Sequence, residues 1–371
     1  MNKLQELFKE GYGQESSKQS LALFQRKAVE QIQRCRTAKL GGHARYCEDG
    51  HLNGVWYNSC KHRFCPQCNQ IRKEAWIQNT QRILLSCPHH HIVFTIASEL
   101  NVLWRYNRAL MMDLLFESVQ TALKKFCRDE KYLGATPGYL MALHTWGRDL
   151  SLHPHIHVLI SHGGLNEENK WVDPKRDILF PQKPVMLVFR GHYLSLLRKK
   201  LESGELIVPP DASPGEWLNR LKRLYGKEWV VHFSDRYDHA AGVAKYLGRY
   251  IKGGPFRLNQ VVPFNEGQVR FQYRSHKTRR IERMLLDKRV FLKRMLEHAA
   301  LPGKPTLRYG GLYVSSVRER LNQARAQMGQ GEVAARIKID CLEYLKKLGR
   351  LPFCSECGKL VFKRRPLDQV V

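Results

Sequence analysis

Leu152-His153-Pro154-His155-Ile156-His157-Val158-Leu159-Ile160 is the stretch from which the rest of the chain can be read. From His155 onward it is β-branched and apolar, and Gly163-Gly164 closes it with a turn signal, so His155–Ile160 predicts a buried strand. Side chains alternate across a strand, which puts His155, His157 and Leu159 on one face and Ile156, Val158 and Ile160 on the other. Two imidazoles two residues apart on one face can hold a divalent ion through neutral ring nitrogens. A lone histidine there is ordinarily a polar residue on a half-exposed strand. A His-x-His within an apolar strand, with His153 and His144 nearby, argues for a site.

Upstream, Gly138–Trp146 predicts another strand, joined to the first by the polar link Gly147–Leu152. The two should pair as an antiparallel hairpin and bring His144 across from His155 and His157. His144 is therefore the candidate third ligand, with His232 and His153 as alternatives; a one-residue slip would turn it to the opposite face. His90–Ile96 alternates as a further strand, and Asn101–Cys127 carries apolar residues at helical spacing. Residues 163–186, rich in Gly, Asn, Asp and Pro, predict a surface excursion. Helices follow near 188–203 and 214–225, then a strand at Trp229–Phe233.

Asp238–Pro255 predicts a helix running from an Asp N-cap to a Gly-Gly-Pro stop. Ala240, Ala244, Leu247 and Ile251 form its apolar face. Tyr246 and Tyr250, at i and i+4, stack beside that face, with Arg249 and Lys252 adjoining. A tyrosine pair at helical spacing is commonly plain packing. Lying off the apolar face among basic side chains, this pair is expected to turn its hydroxyls to a cleft.

Ten cysteines in a chain without a signal-peptide core point to metal or structural thiols rather than disulfides. An amphipathic helix over 17–34 leads into Cys35-x7-His43-x3-Cys47-x3-His51-x8-Cys60-x-His62-x2-Cys65-x2-Cys68. Tetrahedral zinc needs four Cys/His ligands, and a CxxC knuckle supplies two at once. Cys65 and Cys68 lead the candidates, followed by Cys47, Cys60 and Cys35; His43, His51 and His62 are interchangeable. They could fill two sites, or one with spares. A helix over Arg72–Leu85 ends the module, whose lysines and arginines suggest contact with DNA. Cys354 and Cys357 form a second CxxC, half a site by itself; Cys127 and Cys341, in helical contexts, read as ordinary buried thiols.

Lys and Arg number 62 against 34 Asp and Glu, a net charge of +28. Such an excess implies a polyanionic partner, most often nucleic acid. No apolar run is long enough to span a bilayer, and no GxxxxGK[ST] suggests an NTPase motor. Gln260–Val262 and Gln268–Arg274 suggest a hairpin around Asn265-Glu266-Gly267. From Arg270 to Ala300 there are ten Lys/Arg and three acids, interleaved with Phe271, Tyr273 and Phe291. Cations that track a backbone and aromatics that stack bases suggest a single-strand groove, with Arg270, Tyr273, Arg274, Lys277, Arg279 and Arg280 as candidates. A solvated helical face is the competing reading.

These pieces, in this order, resemble the rolling-circle transposases of the insertion-sequence-91 family, members of the HUH (His-hydrophobe-His) endonuclease superfamily. The resemblance rests on CRTAKLGGH…NSCKHRFCPQC, on Val93-Phe94-Thr95, on HTWGRDLSLHPHIHVLI and on YLGRYIK, and covers most of the chain. One departure is Cys47-Glu48-Asp49-Gly50-His51, where the family often shows a second CxxC. The resemblance implies an α+β fold with a ferredoxin-like core, helices on a central antiparallel sheet. It implies His155 and His157 as ligands of catalytic Mg2+ or Mn2+, structural Zn2+ in the cysteine module, and Tyr246 and Tyr250 as nucleophiles. The expected product is a 5′-phosphotyrosine link on single-stranded DNA at element ends, made in a bacterial, nucleoid-associated cytoplasmic protein. The expected organisation is an N-terminal helix and zinc module over 1–86, a catalytic domain over 87–300, and a mostly helical C-terminal region over 301–371.

Three other readings compete. A plasmid replication initiator or relaxase shares the core chemistry. A histidine-triad nucleotide hydrolase shares the approximate pattern at His153–Ile160, although Pro154 occupies an apolar slot of that pattern. A zinc-dependent DNA-binding protein without catalysis would leave single strands uncut.

Overall fold

Extended segments account for most of the framework that positions the histidines. The computed structural model describes residues 3–14, 16–62, 65, 68, 70–175, 179–238, 243, 255–263, 265, 267–275 and 278–369. The strands are β1 (Gly42–Cys47), β2 (Leu52–Tyr57), β3 (His89–Thr95), β4 (Gly138–Trp146), β5 (Leu152–Ser161), β6 (Gly164–Leu165), β7 (Trp171–Val172) and β8 (Val230–Tyr237). After these come β9 (Val261–Pro263), β10 (Gln268–Arg274), β11 (Ile281–Asp287), β12 (Leu307–Gly311) and β13 (Val361–Pro366). The result is a mixed α+β fold with antiparallel sheets.

The central sheet runs β12-β4-β5-β3-β8, every pair antiparallel. Its alternation decides what each face does. Ile92, Phe94, Met141, Leu143, Ile156, Val158 and Ile160 turn to one side and are buried in the largest core, with residues of the helices Arg108–Arg128 and Gln182–Glu202. Burying each such side chain contributes about 1.5–3 kcal/mol. The other side carries His91, His144, His155 and His157, and beside them Leu140, Ala142 and Leu159. Those three join a separate cluster with Leu84, Leu312, Tyr313 and Val243.

Pro154 lies inside β5. His144 pairs with His155, but Trp146 pairs with Leu152, so β5 carries one extra residue between these pairs. A proline lacks the N–H that a regular ladder needs, and a bulge accommodates it.

The long helix expected over Asn101–Cys127 is two, Asn101–Tyr106 and Arg108–Arg128. Asn107 interrupts it: its side chain donates to the carbonyls of Leu103 and Ile207 and accepts from the Ile207 N–H. The helix expected near 188 starts at Gln182, inside the predicted excursion. Pro184 falls in its first turn, where a missing N–H costs no helical bond. The N-terminal helix is Leu23–Arg34, shorter than expected and preceded by a helix at Lys3–Tyr12.

These two helices do not pack within the zinc module alone. Leu4, Phe8 and Ile32 share a core with Phe271, Phe291 and Met295, from the β9–β10–β11 sheet and the helix Lys288–Glu297. The 301–371 region, expected to be mostly helical, supplies β12 to the edge of the central sheet and β13 to a sheet with β1 and β2. Among the described residues, no helix is long and apolar enough to cross a membrane.

Candidate active site

The register of β4 on β5 places His144 directly opposite His155, and Ala142 opposite His157. His144, His155 and His157 thereby share one face, their ligand nitrogens all within 4.8 Å of one another. The Nε2 atoms of His155 and His157 lie 3.0 Å apart. That is the cis edge of an octahedron with bonds of about 2.1 Å, the size suited to a small divalent cation. His144 closes over the pair, its ring 4.4 Å from that of His157 and stacked on Trp146 at 4.5 Å. His153 and His232, the alternatives for a third ligand, are exposed and stay outside the cluster.

Backbone and neighbouring rings fix which nitrogens face inward. Nδ1 of His155 is 2.6 Å from the carbonyl oxygen of His153. A carbonyl only accepts, so this nitrogen carries the proton and the Nε2 lone pair points toward His157. Nδ1 of His157 is 2.8 Å from Nε2 of His91, whose Nδ1 is in turn 3.0 Å from the Ser234 hydroxyl. Outer partners of this kind orient metal-binding imidazoles. Burial first, and then the neighbouring His144 and His155, hold His157 well below the ordinary imidazole value. Burial lowers His91 to about 4. His157 and His91 are therefore neutral near pH 7, the form in which imidazole binds a metal.

The cysteine module forms a second centre. Cys35, Cys60, Cys65 and Cys68 converge, with sulfurs 3.5 Å apart between Cys60 and Cys68 and 3.7 Å between Cys35 and Cys65. Zinc with Zn–S bonds of about 2.3 Å sets tetrahedral sulfurs about 3.8 Å apart, so the four thiols fit that ion. Hydrogen bonds from Cys60, Cys65 and Cys68 hold the Cys35 thiol far below its usual value. His43 is not part of the quartet. It lies on β1 opposite Trp56 and accepts a hydrogen bond from Arg45. Cys47 and His51 lie apart from the quartet, beside Cys354 and Cys357. Cys127 is buried, as expected, whereas Cys341 is half-exposed at the start of the helix Cys341–Lys347.

The basic run folds differently from the groove its composition suggested. Phe271 and Phe291 are fully buried core residues. Tyr273 packs against the same core and donates its hydroxyl to Glu282 at 2.8 Å. Packing therefore keeps Phe271 and Phe291 from stacking on bases, while Tyr273 stays half-buried at the edge of that core. Alternation instead puts Arg270 and Arg274 on the outer face of β10, where the register adds Ile281, Arg283 and Leu285 of β11. Arg279 and Arg280 occupy the turn between these strands, Arg279 with a positive φ of 57°. Tyr246, Arg249, Tyr250, Lys252 and Lys277 lie outside the described residues.

Sequence reasoning passed over His91 and Ser234. His91 carried a signal, since it sits two residues before Val93 in an alternating strand, but its partner is revealed only by the pairing of β3 with β5. The convergent cysteine quartet and the histidine set on one sheet face are two candidate metal centres.

Family comparison identifies the class. Residues 6–96 match the family described as "Transposase zinc-binding domain", and residues 138–320 match the family described as "Putative transposase". The chain is 31% identical over 317 residues to "Putative transposase y4qJ" of Sinorhizobium fredii, covering 84% of this chain and 80% of that protein. It is 29% identical over 299 residues to "Transposase for insertion sequence element IS801" of Pseudomonas savastanoi pv. phaseolicola, covering 78% of this chain and 70% of that one. No solved structure matches the chain. The protein belongs to the insertion-sequence-91 family of transposases, DNA-cleaving enzymes with an N-terminal zinc-binding domain.

Proposed function

We propose that this transposase nicks and rejoins single-stranded DNA at element ends through Tyr246 and Tyr250, in a rolling-circle reaction of the HUH type. The observation that carries this reading is the inward-facing set of His144, His155 and His157 on one sheet face. The antiparallel sheet with its helices packed on the opposite face is consistent with a ferredoxin-like HUH core. Val243, three residues before Tyr246, is buried with Leu140, Ala142 and Leu159 on the face that carries the histidines.

The three imidazoles would hold Mg2+ or Mn2+, which draws charge from a phosphodiester's non-bridging oxygens when bound. A tyrosine oxygen bonds to phosphorus as it loses its proton, and the P–O3′ bond breaks. The departing 3′ oxygen gains a proton, leaving a free 3′-OH and a 5′-phosphotyrosine link. Attack by another strand's 3′-OH reverses the exchange, so no ATP is needed. Two tyrosines let one site hold two cleaved ends. Cys35, Cys60, Cys65 and Cys68 take structural zinc, which holds the N-terminal module together.

The test incubates the protein with labelled single-stranded element ends and Mn2+ and looks for a covalent adduct under denaturing conditions. Wild-type protein should give an adduct that EDTA prevents. Tyr246→Phe/Tyr250→Phe should bind the strand and give none. An adduct of wild-type intensity from the double variant would identify another nucleophile and overturn the reading.

A further inference from the structure

We propose that Cys47, His51, Cys354 and Cys357 form a second tetrahedral zinc site, and that this ion fastens the C-terminal end of the chain to the N-terminal zinc module. The four ligand atoms lie within 4.8 Å of one another. Sγ of Cys47 is 3.6 Å from Sγ of Cys357 and 3.6 Å from Nδ1 of His51, and that nitrogen is 3.8 Å from Sγ of Cys354. Bond lengths of about 2.3 Å to sulfur and 2.0 Å to nitrogen give tetrahedral edges of roughly 3.8 Å between sulfurs and 3.5 Å from sulfur to nitrogen. The observed spacings follow those edges. A disulfide would need sulfurs about 2.05 Å apart.

Two tight turns present the ligands face to face. After Cys47, the Gly50 N–H donates to the Cys47 carbonyl and the Cys47 N–H to that of His51, with Gly50 at a φ of +89°. After Cys354, the Gly358 N–H donates to the Cys354 carbonyl and the Cys354 N–H to that of Lys359, with Gly358 at +70°. Both glycines adopt a backbone conformation that other residues reach only at a cost, which is what a compact ligand turn requires. The turns are aligned by β13 pairing with β1, with Cys47 opposite Val361, and by Lys359 bonding Asp49 at 2.6 Å. Nε2 of His51 lies 3.7 Å from a Glu356 carboxylate oxygen, the arrangement of a carboxylate behind a zinc-bound imidazole.

The apolar packing here is too small to hold this junction. Its cluster is Cys47, Cys354 and Val361, with Cys357 against it, so the buried groups are mostly the ligands themselves. Thiols crowded together with Val361 as the apolar member of their cluster are what a structural zinc site looks like when the protein is built around the ion. The ligands Cys47 and Cys357 are 310 residues apart in sequence. The intervening chain therefore closes into one loop, and the C-terminal segment is held along the helix Gln70–Ile83. There Asn79 bonds the backbone of Ile337, and Lys347 pairs with Glu74.

The experiment counts zinc per chain by elemental analysis, in the His155→Ala/His157→Ala background so that the histidine site adds none. The parent should carry two ions. Cys354→Ser/Cys357→Ser should carry one, and hydrogen exchange should rise across residues 341–369 and in β1. His51→Cys, which keeps four ligands, should retain two. A parent with one zinc, or a Cys354→Ser/Cys357→Ser protein with two, overturns the proposal. Should the serine variant fail to fold, alkylation of the wild-type protein decides. Cys357 is only half-buried, so it should resist iodoacetamide with metal bound and react after chelation. Equal reactivity in both conditions overturns the site.

Discussion

His157 is asked to do different things with its two nitrogens. Nε2 faces His155 and Nδ1 faces His91, so one ring joins the cluster to the neighbouring strand β3. His155→Ala and His157→Ala should bind single strands nearly as wild type does and cut them hardly at all, read by gel shift and by cleavage side by side. Wild-type rates from both would remove the metal site. On the proposed metal site, His91 would position the His157 ring. His91→Ala should raise the Mn2+ concentration for half-maximal cleavage about 10–100-fold and recover rate when Mn2+ is saturating. A lower rate with an unchanged Mn2+ midpoint would assign His91 a different role.

A separate titration belongs to His298. Its ring is buried between Leu150, whose carbonyl lies 3.1 Å from Nε2, and Thr145, and burial lowers it to about 4. A histidine lowered on folding is protonated first in the unfolded chain. Its contribution is therefore complete above the unfolded value near 6.5 and is lost as pH falls from there toward 4. Between pH 7 and 5 this one ring should cost about 2 kcal/mol of stability. His298→Asn should flatten the pH dependence of urea unfolding by that amount; an unchanged slope would show that the ring does not stay neutral in the fold.

Elements succeed or fail here by their ends. The helix Pro214–Leu224 begins with Ser213, whose hydroxyl accepts from the Glu216 N–H at 3.2 Å while the Glu216 carboxylate accepts from the Ser213 N–H at 2.7 Å. The helix starts where the sequence placed it, near 214, and proline at its first position with this reciprocal pair fixes that end. Ser213→Ala should destabilise the protein by about 1 kcal/mol, measured by urea unfolding, and leave DNA cleavage unchanged. The break at Asn107 was not legible, because it depends on Ile207, a hundred residues away, offering its backbone to the asparagine side chain. The strand β11 was missed for a related reason. Its exposed face carries Ile281, Arg283 and Leu285, so composition marked it as a basic run, and only pairing with β10 reveals the sheet.

At the scale of the molecule, a net charge of +28 predicts binding dominated by phosphate contacts. Arg270, Arg274 and Arg283 share the outer face of the β9–β10–β11 sheet and are the natural place to test it. Replacing all three with alanine should weaken single-strand binding and flatten the slope of log affinity against log salt by about 2, at roughly 0.7 for each phosphate no longer neutralised. An unchanged slope would place the phosphate path elsewhere. The zinc module and the C-terminal segment also meet at this scale, since β13 completes the sheet begun by β1 and β2.

Local pattern alone determined the strand carrying His155 and His157, the strand carrying His144, the cysteine cluster and the start of the helix Pro214–Leu224, because alternation and ligand spacing are written within a few residues. The same reasoning marked the CxxC at Cys354 and Cys357 but left it without partners, and it counted His43 among the zinc candidates. Tertiary structure decided those points. Ligand sets depend on which turns face each other, and β13 reaches β1 across nearly the whole chain. It also decided the fate of Phe271 and Phe291, since the same residue types stack bases when exposed and fill a core when a helix covers them. Sequence names the groups able to do chemistry; long-range packing selects which of them meet.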